Sequence, residues 1–278
     1  MSDQLEERVA AHYGKPKLLD AILDGLERAG ASPDAPSLED LASVDEFHTA
    51  GRITTLKALE MTPIKAGMHV LDAGSGIGGT ARCLAREKGC QVTGIDLTPD
   101  YIDVAKALTA RTGLGEACDF HQGSVLDMPF AESSFDAAVS FHVAMNIEDR
   151  AQFYGELARV ARPGAPLCLF DVMKGPASGM HYPVPWAETA ANSFLKTPDE
   201  TSALVGEAGF EVTRTTSLRD FAIDFFREVF AKAAEQEGPP PLGLHILTGS
   251  NTPEKFSNYA KALDAHQIDP VILIARRR

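Results

Sequence analysis

Long apolar runs are missing from this 278-residue sequence. Stretches such as Val271-Ile272-Leu273-Ile274-Ala275 fall far short of the roughly 20 residues that a membrane-spanning helix needs. Acids in Met1-Ser2-Asp3-Gln4-Leu5-Glu6-Glu7 occupy the place of the basic patch and apolar run of an export signal, so none is expected. Cysteine is scarce, at four residues, and Cys83, Cys90, Cys118 and Cys168 form no CxxC pair. That spacing argues against both a zinc site and a disulfide framework, and a reducing cytoplasm is the expected setting. Their places in helix, strand or strand edge suit buried, small apolar residues. Positive charge is also in short supply: 26 Lys and Arg face 39 Asp and Glu, for a net charge of −13. Such a chain repels a phosphate backbone, which disfavours DNA and RNA partners. Arg276-Arg277-Arg278 reads as a solvated strand end rather than a basic signal.

What is present is ordinary globular composition, with 44% hydrophobic and 23% charged residues, sufficient for one core with a lid. From Leu5 to about Met61 the pattern is helical, with Leu18, Leu19, Ile22, Leu23 and Leu26 at three- and four-residue steps. Two or three helices are expected there, broken by a linker at Ala31-Ser32-Pro33-Asp34-Ala35-Pro36-Ser37. After Pro63, strands are expected at His69 to Ala73, Gln91 to Ile95, Cys118 to Gln122, Phe135 to Ser140 and Pro166 to Asp171. Helices alternate with them at Gly79 to Lys88, Pro99 to Thr112 and Asp149 to Ala161. Alternation of this kind implies a parallel sheet whose strand C-termini share one edge, where ligands sit. A helix at Pro198 to Ala208, a strand at Phe210 to Ser217 and a last strand at Pro270 to Ala275 follow. Mostly helical sequence interrupts this terminal pair, divided by Pro239-Pro240-Pro241, and is expected to cap the ligand edge. The division is therefore 1–62 N-terminal helices, 63–217 core, 218–268 cap and 269–278 final strand.

Val70-Leu71-Asp72-Ala73-Gly74-Ser75-Gly76-Ile77-Gly78-Gly79 is an apolar strand entering a glycine turn that opens a helix. Glycines permit the tight bend and a close ligand approach, while the helix start offers free N–H groups to an anionic group. Gly94-Ile95-Asp96-Leu97 ends the next strand with a carboxylate placed to accept two ribose hydroxyls, with a solvated helix cap as the alternative. Gly123-Ser124-Val125, after the third strand, could hold an adenine edge or be a plain turn.

Taken in order, Asp-x-Gly-x-Gly-x-Gly, the acid after the second strand, the Gly-Ser turn before Leu126-Asp127-Met128-Pro129-Phe130, and Arg159-Val160-Ala161-Arg162-Pro163-Gly164 resemble the class I S-adenosylmethionine (SAM) methyltransferases. The resemblance runs from about Met61 to Ser217. Among subfamilies it looks most like the small-molecule enzymes that include the sarcosine/dimethylglycine and tocopherol methyltransferases. Phe47-His48-Thr49-Ala50-Gly51-Arg52 and Ser140-Phe141-His142 carry that closer likeness, with a departure at Thr49-Ala50. The resemblance implies a Rossmann-like α/β fold, a mostly parallel sheet with its last strand antiparallel. It implies that Asp72, Gly74, Ser75, Gly76 and Gly78 hold the methionine end of SAM. It further implies Asp96, with Leu97 beside it, at the ribose, and Ser124 and Val125 at the adenine. The product would be S-adenosylhomocysteine.

Methyl transfer from a sulfonium depends mainly on alignment, so few catalytic groups are obligatory. Where the acceptor carries a proton, His142 is the candidate base, or else it packs against the cofactor. Asn146, His181, Tyr182 and Trp186 are candidates for the acceptor pocket. Tyr13 and Arg52 could close the site from the N-terminal side, Arg52 by pairing with the SAM carboxylate. The expected activity is methyl transfer to N, O or C of a small metabolite, with no metal. A SAM-sensing module, or a nicotinamide-dependent oxidoreductase with the same glycine spacing, is the alternative. Phe221, Phe225, Phe226 and Phe230 form either the core of the cap or a homodimer face.

Overall fold

The computed structural model describes residues 2–14, 17–235 and 238–278. Among them, seven strands form one sheet: β1 (His69–Ala73), β2 (Gln91–Asp96), β3 (Cys118–Gln122), β4 (Ala137–Phe141), β5 (Pro166–Lys174), β6 (Phe210–Ser217) and β7 (Ile268–Arg277). Their spatial order is β3-β2-β1-β4-β5-β7-β6. Strands β3, β2, β1, β4 and β5 pair parallel, and β7 runs antiparallel to both β5 and β6. This is the mostly parallel sheet with a reversed final strand that the resemblance implies. The central strands are buried on both faces, so β4 is Ala-Ala-Val-Ser-Phe with no polar alternation, whereas edge strand β6 alternates and exposes Glu211 and Thr215.

Helices α4 (Arg52–Met61), α5 (Gly79–Lys88) and α6 (Pro99–Arg111) cover one face, where Leu59, Leu84 and Ile102 meet Val70, Val92 and Phe170. The opposite face takes α7 (Arg150–Val160) and α8 (Pro198–Glu207), through Phe153, Leu157 and Val205 against Leu71, Ala138 and Leu273. Two further groups sit beyond the C-terminal ends of the strands. One is α1 (Ser2–Tyr13), α2 (Leu18–Arg28) and α3 (Leu38–Leu41); the other is α9 (Arg219–Ala234), α10 (His245–Thr248) and α11 (Thr252–Asp264). Helix α2 buries Leu18, Ile22 and Leu26 against Val104 and Leu108 of α6. No helix among the described residues is long and apolar enough to cross a membrane.

Four helices precede the sheet among the described residues, one more than the periodicity suggested. The extra one, α3, is too short to show a period and is set by a capping box. Asp40 N–H donates to Ser37 Oγ at 3.1 Å, and Ser37 N–H donates to Asp40 Oδ2 at 2.8 Å. The fourth strand starts at Ala137 and ends at Phe141, because Phe135 makes only a single bridge, to Ala161.

Candidate active site

Between β1 and α5 the chain makes a glycine bend at the sheet's switch point, where β2 and β4 lie on opposite sides of β1. Gly74 adopts φ +83°, and a Cβ there would lie 2.2 Å from a methyl of Val143, so only glycine passes beneath the turn after β4. Gly76, at φ +53°, would meet nothing within 4 Å, because its face opens onto a cavity. Backbone N–H groups of Gly74 and Ser75 donate to Ile95 C=O at 2.8 and 3.0 Å and tie the bend to β2. At the end of β2, Asp96 Oδ2 accepts from Gly76 N–H and Oδ1 from Thr98 N–H, each at 2.9 Å. These two bonds aim the carboxylate along the cavity rim, while burial raises its pKa.

Beneath the bend lies Asp72, 1% exposed, whose Oδ2 has no hydrogen-bond partner; Ser75 Oγ is equally without one. Burial, reinforced by the charges of Asp96 and Glu46, pushes the Asp72 carboxyl up to about 7. Asp45 is buried beside it and pairs with Arg82, yet desolvation outweighs the guanidinium and lifts it to about 6. Arg82 is completely buried and its five N–H donors are spent on Asp45, Ile77 C=O, Ala105 C=O and Thr109 Oγ1. An acid-rich bend with an unspent carboxylate and hydroxyl fits a cationic ligand such as the sulfonium and ammonium of SAM.

The cavity has a volume of about 620 Å³, within the range of small-molecule sites. Its walls come from α1 (Tyr13), the segment before α4 (Phe47, His48, Thr49), the glycine bend, the turn after β4, the loop after β5 (Trp186) and the cap (Phe226, Leu247, Tyr259). His142 follows β4 at φ +53°, its N–H donating to Phe170 C=O at 2.6 Å. Its Nε2 lies 3.5 Å from Thr49 Oγ1, which is 2.6 Å from Tyr259 Oη on α11. Desolvation, then the neighbouring His48, holds the His142 pKa well below the ordinary imidazole value, so the ring is neutral. Burial raises both Tyr13 and Tyr259, leaving them protonated donors.

Of the residues singled out from sequence, His142, Gly74, Ser75, Gly76, Asp96, Leu97, Ser124, Val125, Asn146, Trp186 and Tyr13 line this one cavity. Asp72 lies just beneath it. Gly78 begins α5 as its N-cap, packed toward Arg82 and Phe120 rather than at the wall. Asn146 is occupied: Tyr13 Oη donates to its Oδ1 at 2.9 Å, and its Nδ2 donates to Trp186 and Asn192 C=O at 2.9 and 3.0 Å. Ser124 Oγ donates to Glu6 and accepts from Leu126 N–H at 3.0 Å. Arg52 is not brought to the cavity. It opens α4 and reaches across to Glu87 of α5 at 2.9 Å and Glu39 at 3.4 Å, so its charge is already matched. His181 and Tyr182 are also outside the walls, Tyr182 packing with the Trp186 and Tyr259 cluster. Of the phenylalanines on α9, Phe226 turns inward to the cavity while Phe230 is 40% exposed. Glu6, Asp45 and Glu46 were not singled out; they lie on segments whose sequence has no motif and reach the site only through tertiary packing.

Residues 71–169 match the model of a methyltransferase domain. The chain is 29% identical to the O-methyltransferase resE of Aspergillus sclerotiorum, over 80% of this chain and 84% of that one. It is likewise 29% identical to the methyltransferase GfsG of Streptomyces halstedii, over 79% and 78%. Geranyl diphosphate C-methyltransferase from Streptomyces coelicolor A3(2), solved with Mg2+, geranyl diphosphate and S-adenosylhomocysteine, shares the fold, with a TM-score of 0.67 and 16% identity over 82% of this chain and 79% of that one. Sheet order, glycine bend and rim acid define a class I methyltransferase. The chain is a SAM-dependent enzyme that methylates small molecules.

Proposed function

We propose that the glycine bend and Asp72 hold the methionine end of SAM, that Asp96 and Leu97 hold the ribose, and that Ser124 and Val125 hold the adenine. The observation that carries this is the unpartnered, buried Asp72 oxygen under a bend whose rim acid, Asp96, faces the same cavity. Bound SAM supplies an electrophilic methyl on a sulfonium. Around it, Asp72 offers a negative counter-charge, and a low-polarity wall excludes water and strengthens that attraction. The remainder of the cavity, under Trp186 and the cap, takes the acceptor. Where the acceptor atom carries a proton, His142 would take it at Nε2. A neutral imidazole is the form able to do so. The four buried, unpaired cysteines support a reducing, cytoplasmic setting.

Calorimetry of SAM binding tests the assignment. Asp96→Ala, which removes both the ribose acceptor and the tether on Gly76, is expected to weaken SAM at least tenfold, and unchanged affinity overturns the ribose role. Release of S-adenosylhomocysteine with an acceptor panel then reports transfer directly.

A further inference from the structure

The cavity walls carry charge of one sign. Glu6, Asp45, Glu46, Asp96, Glu148 and Asp149 line it, and among the described residues no Lys or Arg does. Nearby cations are committed elsewhere. Arg82 spends every donor as described above. Arg150 donates to Ile147 C=O, Tyr154 Oη and Phe194 C=O, each at 3.0 Å. Lys255, buried on α11, is held by Glu188 at 2.6 Å and Thr248 C=O at 3.2 Å. Of the two wall imidazoles, His142 is neutral, and His48 Nε2 is engaged with Glu46 at 3.1 Å. Among the described residues no group of three His, Cys, Asp or Glu side chains is arranged to hold a metal ion that could carry an anionic substituent. Beyond the glycine bend itself, the wall is rich in apolar and aromatic side chains, among them Phe47, Met145, Trp186, Phe226, Leu247 and Phe256.

A phosphate or carboxylate moved from water into this space, beyond reach of the N–H groups at the glycine bend, loses its hydration, gains no counter-ion and meets like charge at the rim. An apolar molecule loses only unfavourable hydration and covers the aromatic wall. Resting on the SAM assignment above, we propose that the methyl acceptor is an uncharged, largely apolar molecule bearing neither phosphate nor carboxylate. The acids at the glycine bend serve the cationic methyl donor, and the same acids reject anionic acceptors. This separates the chain's acceptor chemistry from that of the Streptomyces coelicolor enzyme of the same fold, whose ligand is a diphosphate with Mg2+.

Matched pairs that differ only in the charged group test it: 1-naphthol against 1-naphthyl phosphate, and geraniol against geranyl diphosphate. Each is titrated against the full chain saturated with S-adenosylhomocysteine, with quenching of Trp186 fluorescence as the readout. The neutral member is expected to bind at least tenfold more tightly in each pair. Phe256→Lys, which sets a cation into the half-buried apolar wall, is expected to narrow the ratio at least fivefold by improving the anionic member. A charged member held as tightly as its neutral partner overturns the proposal, as does failure to hold either neutral compound by protein that still binds SAM. Absence of SAM binding in the same preparation would instead overturn the assignment on which the proposal rests.

Discussion

Thr49 Oγ1 and Tyr259 Oη, 210 positions apart in the chain, lie 2.6 Å from each other. Their bond joins the segment before α4 to cap helix α11 directly over His142 Nε2. Removing the phenol hydroxyl by Tyr259→Phe breaks this tie but keeps the ring against Trp186 and Phe226. A buried hydrogen bond of this kind is worth about 1 kcal/mol, so the midpoint of denaturant unfolding should fall only slightly. The kcat should fall further than stability accounts for, with the SAM affinity unchanged. Equal loss in SAM binding would place the tie in the donor half instead.

On the proposed assignment, Asp72 is expected to make SAM binding depend on pH. Its free-protein pKa of about 7 means that it is mostly neutral at low pH and mostly charged at high pH. A cationic ligand favours the charged form, so binding near neutrality releases a proton and affinity rises with pH, levelling off above about 8. Asp72→Asn should remove this slope, which calorimetry in buffers of different ionisation enthalpy measures. For the ligand-free fold the sign reverses. A carboxyl raised above its unfolded value of 3.8 costs stability when ionised, so its contribution improves as pH falls from about 7 toward 4. A slope that survives in Asp72→Asn assigns the titration to another group.

Arg82 stands completely buried with Asp45 as its only acid partner among the described residues. Arg82→Met leaves Asp45 without a counter-charge and frees the carbonyls of Ile77 and Ala105, which is expected to cost about 3–5 kcal/mol in chemical denaturation. The double variant Arg82→Met/Asp45→Leu should recover much of the loss, since it removes both buried charges. No recovery would mean that the carbonyl bonds, rather than the ion pair, dominate.

Gly74→Ala forces a Cβ to within 2.2 Å of Val143 at a left-handed φ. The bend must shift, so SAM affinity should drop at least tenfold, with a loss of thermal stability of a few degrees. Gly76→Ala meets no atom within 4 Å but still sets a Cβ at a left-handed φ of +53°, so a stability cost of about 1 kcal/mol should accompany its effect on ligand binding. A normal SAM affinity in both variants would remove the bend from the donor site.

The sheet and the glycine-bend side of the cavity were legible in sequence because both are local. Asp72 to Gly79 and Asp96 sit where strand, turn and helix periods dictate, and the strand bounds follow from runs of apolar residues. Glu6, Asp45 and Glu46 were not legible in the same way. They reach the cavity through helix packing that no short-range pattern encodes. Arg52 shows the converse: a cation next to a family-like segment invited a ligand role, yet its nearest acids after folding are Glu87 and Glu39. Asn146 looked free to meet an acceptor because its partners, Tyr13 and the loop after β5, are remote in sequence.

The residues assigned to the methyl donor lie within positions 72–125, whereas much of the remaining wall is drawn from α1 and from the three helices between β6 and β7. Those helices enter and leave the sheet at neighbouring antiparallel strands, and of their buried residues only Leu242 and Leu247, before and in α10, share a hydrophobic cluster with Ile77 of the glycine bend among the described residues. Exchanging the cavity-facing residues of α9 and α11 while keeping Leu242 and Leu247 is therefore expected to change the acceptor and spare the proposed methyl-donor site.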